Sequence, residues 1–198
     1  MTKTSLRNHW IPEPDLAAIF SRLRQEDEAI ARLSLLTGFR IEDILESRLV
    51  DWNSGSIILQ ERKTGKLRGI PNNSAIRGTI EEIRACTQDR REWTEHNGYL
   101  VPARKRSPDG KPRHLARSTI WRAWHRAIEQ ADKIGYGYTV HSLRRCYAVR
   151  EWRRTGSIEA VQRDLGHKYA GTTYSYLQDA IEAPARAATV SGVLHEPG

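Results

Sequence analysis

A chain of 198 residues is about one ordinary domain in length, and it can bury roughly 70% of its unfolded surface without disulfide or metal staples. Its 32 Lys and Arg outweigh 24 Asp and Glu, and the formal net charge of +8 favours a polyanionic partner such as nucleic acid. No run approaches the roughly 20 apolar residues of a membrane span, and the N-terminus lacks the apolar core of a secretory signal. Cys86 and Cys146 share no motif, which argues against a zinc cluster or a disulfide framework. A soluble chain in a reducing cytoplasm is expected.

In chain order, Pro12 and Pro14 open an amphipathic helix predicted around Asp15 to Gln25, with Leu16, Ile19, Phe20 and Leu23 apolar. A second helix is predicted from about Asp27 to Leu36 and stops at Thr37-Gly38, where glycine is common C-terminal punctuation. Ile41 to Ser47 reads as a further helical turn, which leaves Arg40 on a junction between two rigid elements, a good place for a fixed donor. Leu49 to Gly55 reads as strand and turn, and Ser56 to Gln60 with Leu67 to Ile70 as a hairpin across Lys63-Thr-Gly-Lys66. Lys63 is then expected at or near the tip of a mobile arm. The rest reads as helical: Ser74 to Cys86, Ser118 to Lys133 with Ile120, Trp121, Trp124, Ala127 and Ile128 on one face, Ser142 to Arg154, Ser157 to Leu165, and a last helix from Gly171 through Leu177. The expected class is mainly α with a small antiparallel β-hairpin, an α+β arrangement.

The residues that carry chemistry sit at the ends of these elements. His141 and Arg144 share the first turn of a predicted helix, three apart and on one face, beside backbone amides that add partial positive charge. His167 follows Leu165-Gly166 at another helix end, and Tyr176 lies nine residues beyond it, with Tyr169 and Tyr174 as nearby rivals. Two basic donors, a second imidazole and a phenol in this order suggest phosphoryl transfer. A tyrosine hydroxyl ordinarily titrates near pH 10, so it attacks a phosphodiester well only where cations and a proton acceptor surround it.

Arginine is dense from Ala103 to Arg117 and again from Arg144 to Arg154, and arginine forks match phosphate oxygens. The first segment carries Arg104, Lys105, Arg106, Lys111, Arg113 and Arg117, and with Arg145 these are the expected DNA-binding residues. Pro108, Gly110 and Pro112 make that segment a loop.

The sequence resembles the tyrosine recombinases. Thr37-Gly38-Phe39-Arg40-Ile-Glu-Asp43 is similar to the family's first box, in which the catalytic arginine is followed at the third position by an acidic residue. Arg62-Lys63-Thr64-Gly65-Lys66 looks like its hairpin lysine, His141-Ser-Leu-Arg144-Arg like its second box, and Leu165-Gly166-His167 with Tyr176 like the third histidine and the nucleophile. The resemblance covers roughly Pro12 to Leu177 and implies one catalytic domain over residues 1–198, with 178–198 as a tail exchanged between protomers. There is little room before Pro12 for the family's N-terminal core-binding domain, so a small single-domain recombinase of the fimbrial phase-variation type, or a fragment, is expected. Within the tail, Asp179 to Leu194 offers Ile181, Ala187, Val190 and Val193 for exchange, although Pro184 interrupts a helix there.

By the same resemblance, Arg40 and Arg144 hold the non-bridging oxygens of a scissile phosphate, and Lys63 protonates the departing 5′ oxygen. Tyr176 becomes a 3′-phosphotyrosine, and Asp43 orients its neighbours. His141 and His167 donate to the phosphate or handle the tyrosine proton, in a division of labour the sequence leaves open. No metal and no cofactor are implied. The expected partners are double-stranded DNA, a homo-tetramer on two DNA sites and a possible helper DNA-binding protein, in the cytoplasm or nucleoid. Two other readings remain open: a type IB topoisomerase-like relaxing enzyme, and a catalytically silent DNA-binding regulator.

Overall fold

The structure is a computed structural model that describes residues 9–91, 98–105, 107–178, 180 and 181. Its contacts divide after Tyr147 into two compact units, so the boundary falls inside one helix, Ser142–Thr155. Among the described residues no helix is long and apolar enough to cross a membrane.

The first unit opens with α1 (Glu13–Phe20), which has proline in its first turn and acidic Glu13 and Asp15 against the N-terminal dipole. It ends five residues earlier than the apolar pattern predicts. The Ser21 hydroxyl bonds the Ala18 carbonyl at 2.9 Å and Arg24 bonds Asp27, so the polar Ser21 and Arg24 draw the chain into a turn before α2 (Gln25–Thr37). α2 stops at Gly38, left-handed at φ 66°, and α3 (Ile41–Glu46) follows. The bend between them is held from inside. Ser34 Oγ donates to the Phe39 carbonyl at 2.7 Å, and Thr37 Oγ1 donates to the Leu33 carbonyl and accepts from the Phe39 amide.

Residues Leu49–Trp52 form a single 3₁₀ turn instead of the expected strand, because the Asp51 carboxylate accepts the Arg48 amide at 2.6 Å and closes the turn. Val50, which suggests a strand, is turned outward, while Trp52 is buried edge-on against Phe39. The hairpin stands as expected: β1 (Ser56–Gln60) pairs antiparallel with β2 (Leu67–Pro71), Ile57 opposite Ile70 and Leu59 opposite Arg68. Alternation puts Ile57 and Leu59 inward from β1, and Arg68 and Ile70 inward from β2. The Arg68 guanidinium lies 4.5 Å from the Phe39 ring centroid and donates to the Thr37 carbonyl at 2.6 Å, which ties the hairpin to the α2–α3 bend.

α4 (Ser74–Cys86) is capped by the Asn73 side chain, which accepts from the Ile76 amide, and it packs on α2 through Ile76, Thr79, Ile80 and Ile83. The three isoleucines are each worth roughly 1.5–3 kcal/mol of apolar burial. A short α5 (Gln88–Arg91) follows, and then α6 (Arg117–Gln130) turns Ile120, Ala123, Trp124, Ala127 and Ile128 inward. Trp121, expected on that face, is instead exposed and lies against His125, because it falls one position off the helical stripe that Ala123 completes. The loop before α7 (Ser142–Thr155) is anchored by the Tyr138 hydroxyl, which donates to Asp15 at 2.8 Å.

In the second unit the remainder of α7 buries Ala148 and Val149. α8 (Ile158–Asp164), capped by Ser157, buries Val161, with Leu165 buried just beyond it. Gly166 turns left-handed at φ 66°, and residues 170–178 form α9. The inward stripe of α9 is Thr173, Tyr176 and Leu177.

Gly38 has no room for a side chain. A Cβ there meets the Tyr147 ring at 2.5 Å on a backbone with φ 66°, whereas Gly65, at φ 69°, has open space around it. Gly38→Ala is therefore expected to lose about 2–4 kcal/mol, combining left-handed strain with overpacking, against about 1 kcal/mol for Gly65→Ala. Denaturant melts of the two variants check the ranking, and equal losses would show that the ring yields freely.

Candidate active site

Two arginines a hundred residues apart in sequence meet on one carboxylate. Arg40, at the N-cap of α3, places Nη1 2.8 Å from Glu61 Oε1, and Arg144, in the first turn of α7, places Nη2 3.2 Å from the same oxygen. Arg144 also donates Nη1 to the Gly38 carbonyl at 2.6 Å, so the left-handed turn that ends α2 receives one side of the fork. Arg144 and Glu61 are both fully buried, and Arg40 is mostly so. Asp43 stands 3.8 Å from Arg40 and accepts the Arg62 amide at 3.1 Å. Burial raises the Asp43 carboxyl above its ordinary value. Burial also opposes ionisation of Glu61, yet Arg144 and Arg40 outweigh it and hold Glu61 below the ordinary carboxylate range.

His141 precedes α7 and, with Ser34, Arg40, Ile41, Glu42, Arg117, Val140 and Arg144, lines a cavity of about 80 Å³. Burial first, then the positive charges of Arg144, Arg40, Arg145 and Lys63, lower His141 to about 4. Its imidazole is neutral at physiological pH. Lys63 is exposed on the 61–66 turn, and its charge is felt at His141. The expected mobile arm is tied on both sides of that lysine: Arg62 bonds Asp43, Thr64 Oγ1 donates to Glu61 Oε2 at 2.9 Å, and the Glu61 carbonyl accepts the Gly65 amide at 2.7 Å. The structure therefore brings Arg40, Asp43, Lys63, His141 and Arg144 together in the first unit.

In the second unit His167 and Tyr176 are neighbours. Their rings lie edge to face with centroids 5.0 Å apart, and His167 Nδ1 is 3.0 Å from the buried Thr173 hydroxyl. The left-handed Gly166 and the bond from the His167 amide to the Gln162 carbonyl set where that imidazole emerges. Tyr176 is buried, whereas its rivals Tyr169 and Tyr174 are exposed.

The basic loop is closed at its base by an antiparallel bridge between Pro102 and His114, with the Ala103 amide donating to the Arg113 carbonyl. Lys105, Lys111 and Arg113 are exposed on it, and Arg117 is exposed beside Glu42. Arg104 departs from the rest: it folds inward to Glu26 and Asp27, in a network that Arg90 and Arg24 complete. Arg106, and Asp179 with the tail beyond residue 181, lie outside the described residues. Arg145 is half-buried near His141.

Glu61 and Arg68 are the residues that sequence reasoning passed over. Continuing the inward alternation of Ile57 and Leu59 by one step lands on Glu61, so a carboxylate in core register was the available signal. The same rule marks Arg68 opposite Leu59.

Residues 10–182 match the Phage integrase family. The Tyrosine recombinase XerA of Thermococcus kodakarensis is 28% identical over 169 residues, covering 84% of this chain and 56% of that protein. The fold is similar to XerH site-specific recombinase bound to palindromic difH substrate in a post-cleavage complex, with TM-score 0.70, 18% identity, and 96% of this chain on 56% of that one. It is also similar to a lambda integrase dimer bound to a COC′ core site, with TM-score 0.68, 20% identity, and 88% of this chain on 60% of that one. The chain thus spans just over half the length of these relatives. With the family match running over nearly the whole described region, the chain belongs to the phage integrase family, the tyrosine recombinases.

Proposed function

We propose that this protein is a site-specific DNA recombinase that breaks and rejoins strands by transesterification through a 3′-phosphotyrosine at Tyr176. The observation that carries the reading is the convergence of two buried guanidiniums, Arg40 and Arg144, on a single point at 2.8 and 3.2 Å. Fixed cations that need no rearrangement are what a phosphodiester acquiring extra negative charge requires. With His141 they line a cavity of about 80 Å³, room enough for a phosphate group.

In this mechanism Arg40 and Arg144 hold the two non-bridging oxygens. The Tyr176 hydroxyl gives its proton to a neutral histidine imidazole as its oxygen bonds to phosphorus, the bond to the 5′ oxygen breaks, and Lys63 gives that oxygen its proton. One phosphodiester is exchanged for another, so a 5′ hydroxyl from a second strand reverses the step without an external energy source. A neutral His141 can donate to the phosphate through one ring nitrogen, and the His167 ring packs against the phenol. Asp43 orients Arg40 and the hairpin. Lys105, Lys111, Arg113, Arg117 and Arg145 supply backbone phosphate contacts. The partners are double-stranded DNA and further copies of the protein, four on two DNA sites, with a helper DNA-binding protein; the setting is the cytoplasm. The DNA-bound state of the solved relatives supports this choice of partner.

The deciding experiment incubates the full chain with nicked suicide duplexes tiling the DNA beside its gene. A covalent adduct that maps to Tyr176 and disappears in Tyr176→Phe is expected, with Arg40→Ala or Arg144→Ala slowing its formation by about 10²–10³-fold. Exchanged strands identify a recombinase and relaxed circles alone a topoisomerase, while binding without any adduct overturns the reading.

Salt titration separates the outward arginines from the inward one. Arg113→Ala is expected to lower the slope of log affinity against log salt by about 1, leaving stability unchanged. Arg104→Ala should leave the slope alone and cost about 2 kcal/mol of stability, because the buried Asp27 is left with Arg24 alone.

His141 makes a pH signature. Its folded value of about 4 lies below its ordinary 6.5, so the unfolded chain takes up the proton first. Stability from this group is complete above about pH 6.5 and is lost as pH falls toward 4. Thermal melts across that window should show the loss, and His141→Gln should flatten it; an unchanged acid limb would place the titration on another group.

A further inference from the structure

We propose that Glu61 is a positioning residue for strand cleavage, its one carboxylate fixing both arginine forks and, through Thr64, setting Lys63 in register with them. The proposal rests on the reading of this site as a phosphoryl-transfer centre and goes further, to the residue that couples its cations to its acid. The geometry is divided between the two carboxylate oxygens. Oε1 is ion-paired with Arg40 Nη1 at 2.8 Å and accepts from Arg144 Nη2 at 3.2 Å, while Oε2 accepts from the Thr64 hydroxyl at 2.9 Å. The backbone of the same residue closes the turn. The Glu61 amide donates to the Lys66 carbonyl at 2.8 Å, and the Glu61 carbonyl accepts from the Thr64 and Gly65 amides.

Lys63 therefore sits one residue from Thr64, which Glu61 holds, and one residue from Arg62, whose amide is held by Asp43. Both carboxylates also face Arg40. A guanidinium has five N–H donors in a rigid plane, so spending Arg144 Nη2 on Glu61 and Nη1 on the Gly38 carbonyl fixes the direction of that fork, while Arg40 is held at Glu61 by charge. A carboxylate serving only to neutralise buried charge needs contact with the arginines alone; the bond to Thr64 connects that contact to the turn carrying the lysine. Glu61 is held in its charged form by Arg144 and Arg40 against the cost of burial, so both contacts persist across the neutral range.

The test measures single-turnover adduct formation and DNA affinity for the full chain with Glu61→Gln, Thr64→Val and Lys63→Ala, on an ordinary nicked duplex and on one with a 5′-bridging sulfur at the scissile phosphate. A thiol ionises near pH 8.5 and leaves without a proton from an acid. Lys63→Ala is expected to lose about 10²-fold or more in rate on the oxygen substrate and to regain it on sulfur. Thr64→Val, an exposed substitution that leaves the core intact, is expected to lose roughly 10-fold and to be rescued by sulfur in the same way. Glu61→Gln should lose roughly 10²-fold or more with partial rescue, because the arginine forks are also released, while affinity for DNA shifts by less than about 3-fold. Wild type forming adducts while Thr64→Val shows no sulfur-reversible defect overturns the coupling, as does a Glu61→Gln defect that appears in affinity instead of rate. Wild type forming no adduct on any duplex overturns the recombinase reading itself, and this proposal with it.

Discussion

Bringing two guanidiniums out of water and onto one oxygen is the costly act on which the first unit is organised. Contacts of 2.8 and 3.2 Å to a shared atom leave the two Nη groups about 6 Å apart at most, where like charges repel by about 3 kcal/mol at an effective dielectric near 20. Glu61 offsets that repulsion, but burial of its own charge is tolerable only because the arginines are there. Each member is thus stable only in the presence of the others. The elements that carry them, the α2–α3 bend, the hairpin and the start of α7, must then close together or not at all.

The bend is where this requirement is most visible. Ser34 and Thr37 satisfy the backbone of a turn that would otherwise bury unpaired carbonyls, and Gly38 adopts the left-handed conformation that leaves its own carbonyl pointing at Arg144. Tyr147, one helical turn beyond Arg144, lies over Gly38 so closely that no Cβ fits. Arg144 and Tyr147 on one face of α7 therefore dock as a pair, the first by charge and the second by shape. Arg68 adds the third fastening, from β2 to the end of α2. The motif glycine is explained by packing and hydrogen bonding alone, before any substrate is considered.

Much of this was legible in the sequence, and the part that was not has a physical reason. Helix starts and stops follow from local chemistry, so Asn73, Ser157, Gly38 and Gly166 fall where capping rules put them. The end of α1 and the 3₁₀ turn at Leu49–Trp52 were misjudged because side-chain hydrogen bonds from Ser21 and Asp51 outweigh an apolar pattern. Trp121 was placed inward by its hydrophobicity, although the stripe through Ile120, Ala123, Trp124, Ala127 and Ile128 leaves its position outside. The tether on Lys63 and the role of Glu61 depend on contacts 19 to 83 residues apart, and no window of sequence contains them. The inward register of β1 still pointed to Glu61, since a carboxylate in line with Ile57 and Leu59 demands a buried cation.

The same distinction governs how the net charge of +8 should be read. Charge counts treat every arginine as available to a polyanion, yet Arg90 and Arg104 are spent on Glu26 and Asp27, and Arg68 on the Thr37 carbonyl. Among the described residues of the closed 103–113 loop, Lys105, Lys111 and Arg113 remain outward. Arg40 and Arg144 belong to neither group. They are buried like structural arginines but line a cavity like binding ones, and with His141 kept neutral by its surroundings that cavity holds its positive charge on groups that do not titrate near neutrality. An anion bound there meets a field whose strength is set by the fold and not by pH, a condition suited to stabilising charge that develops during a reaction.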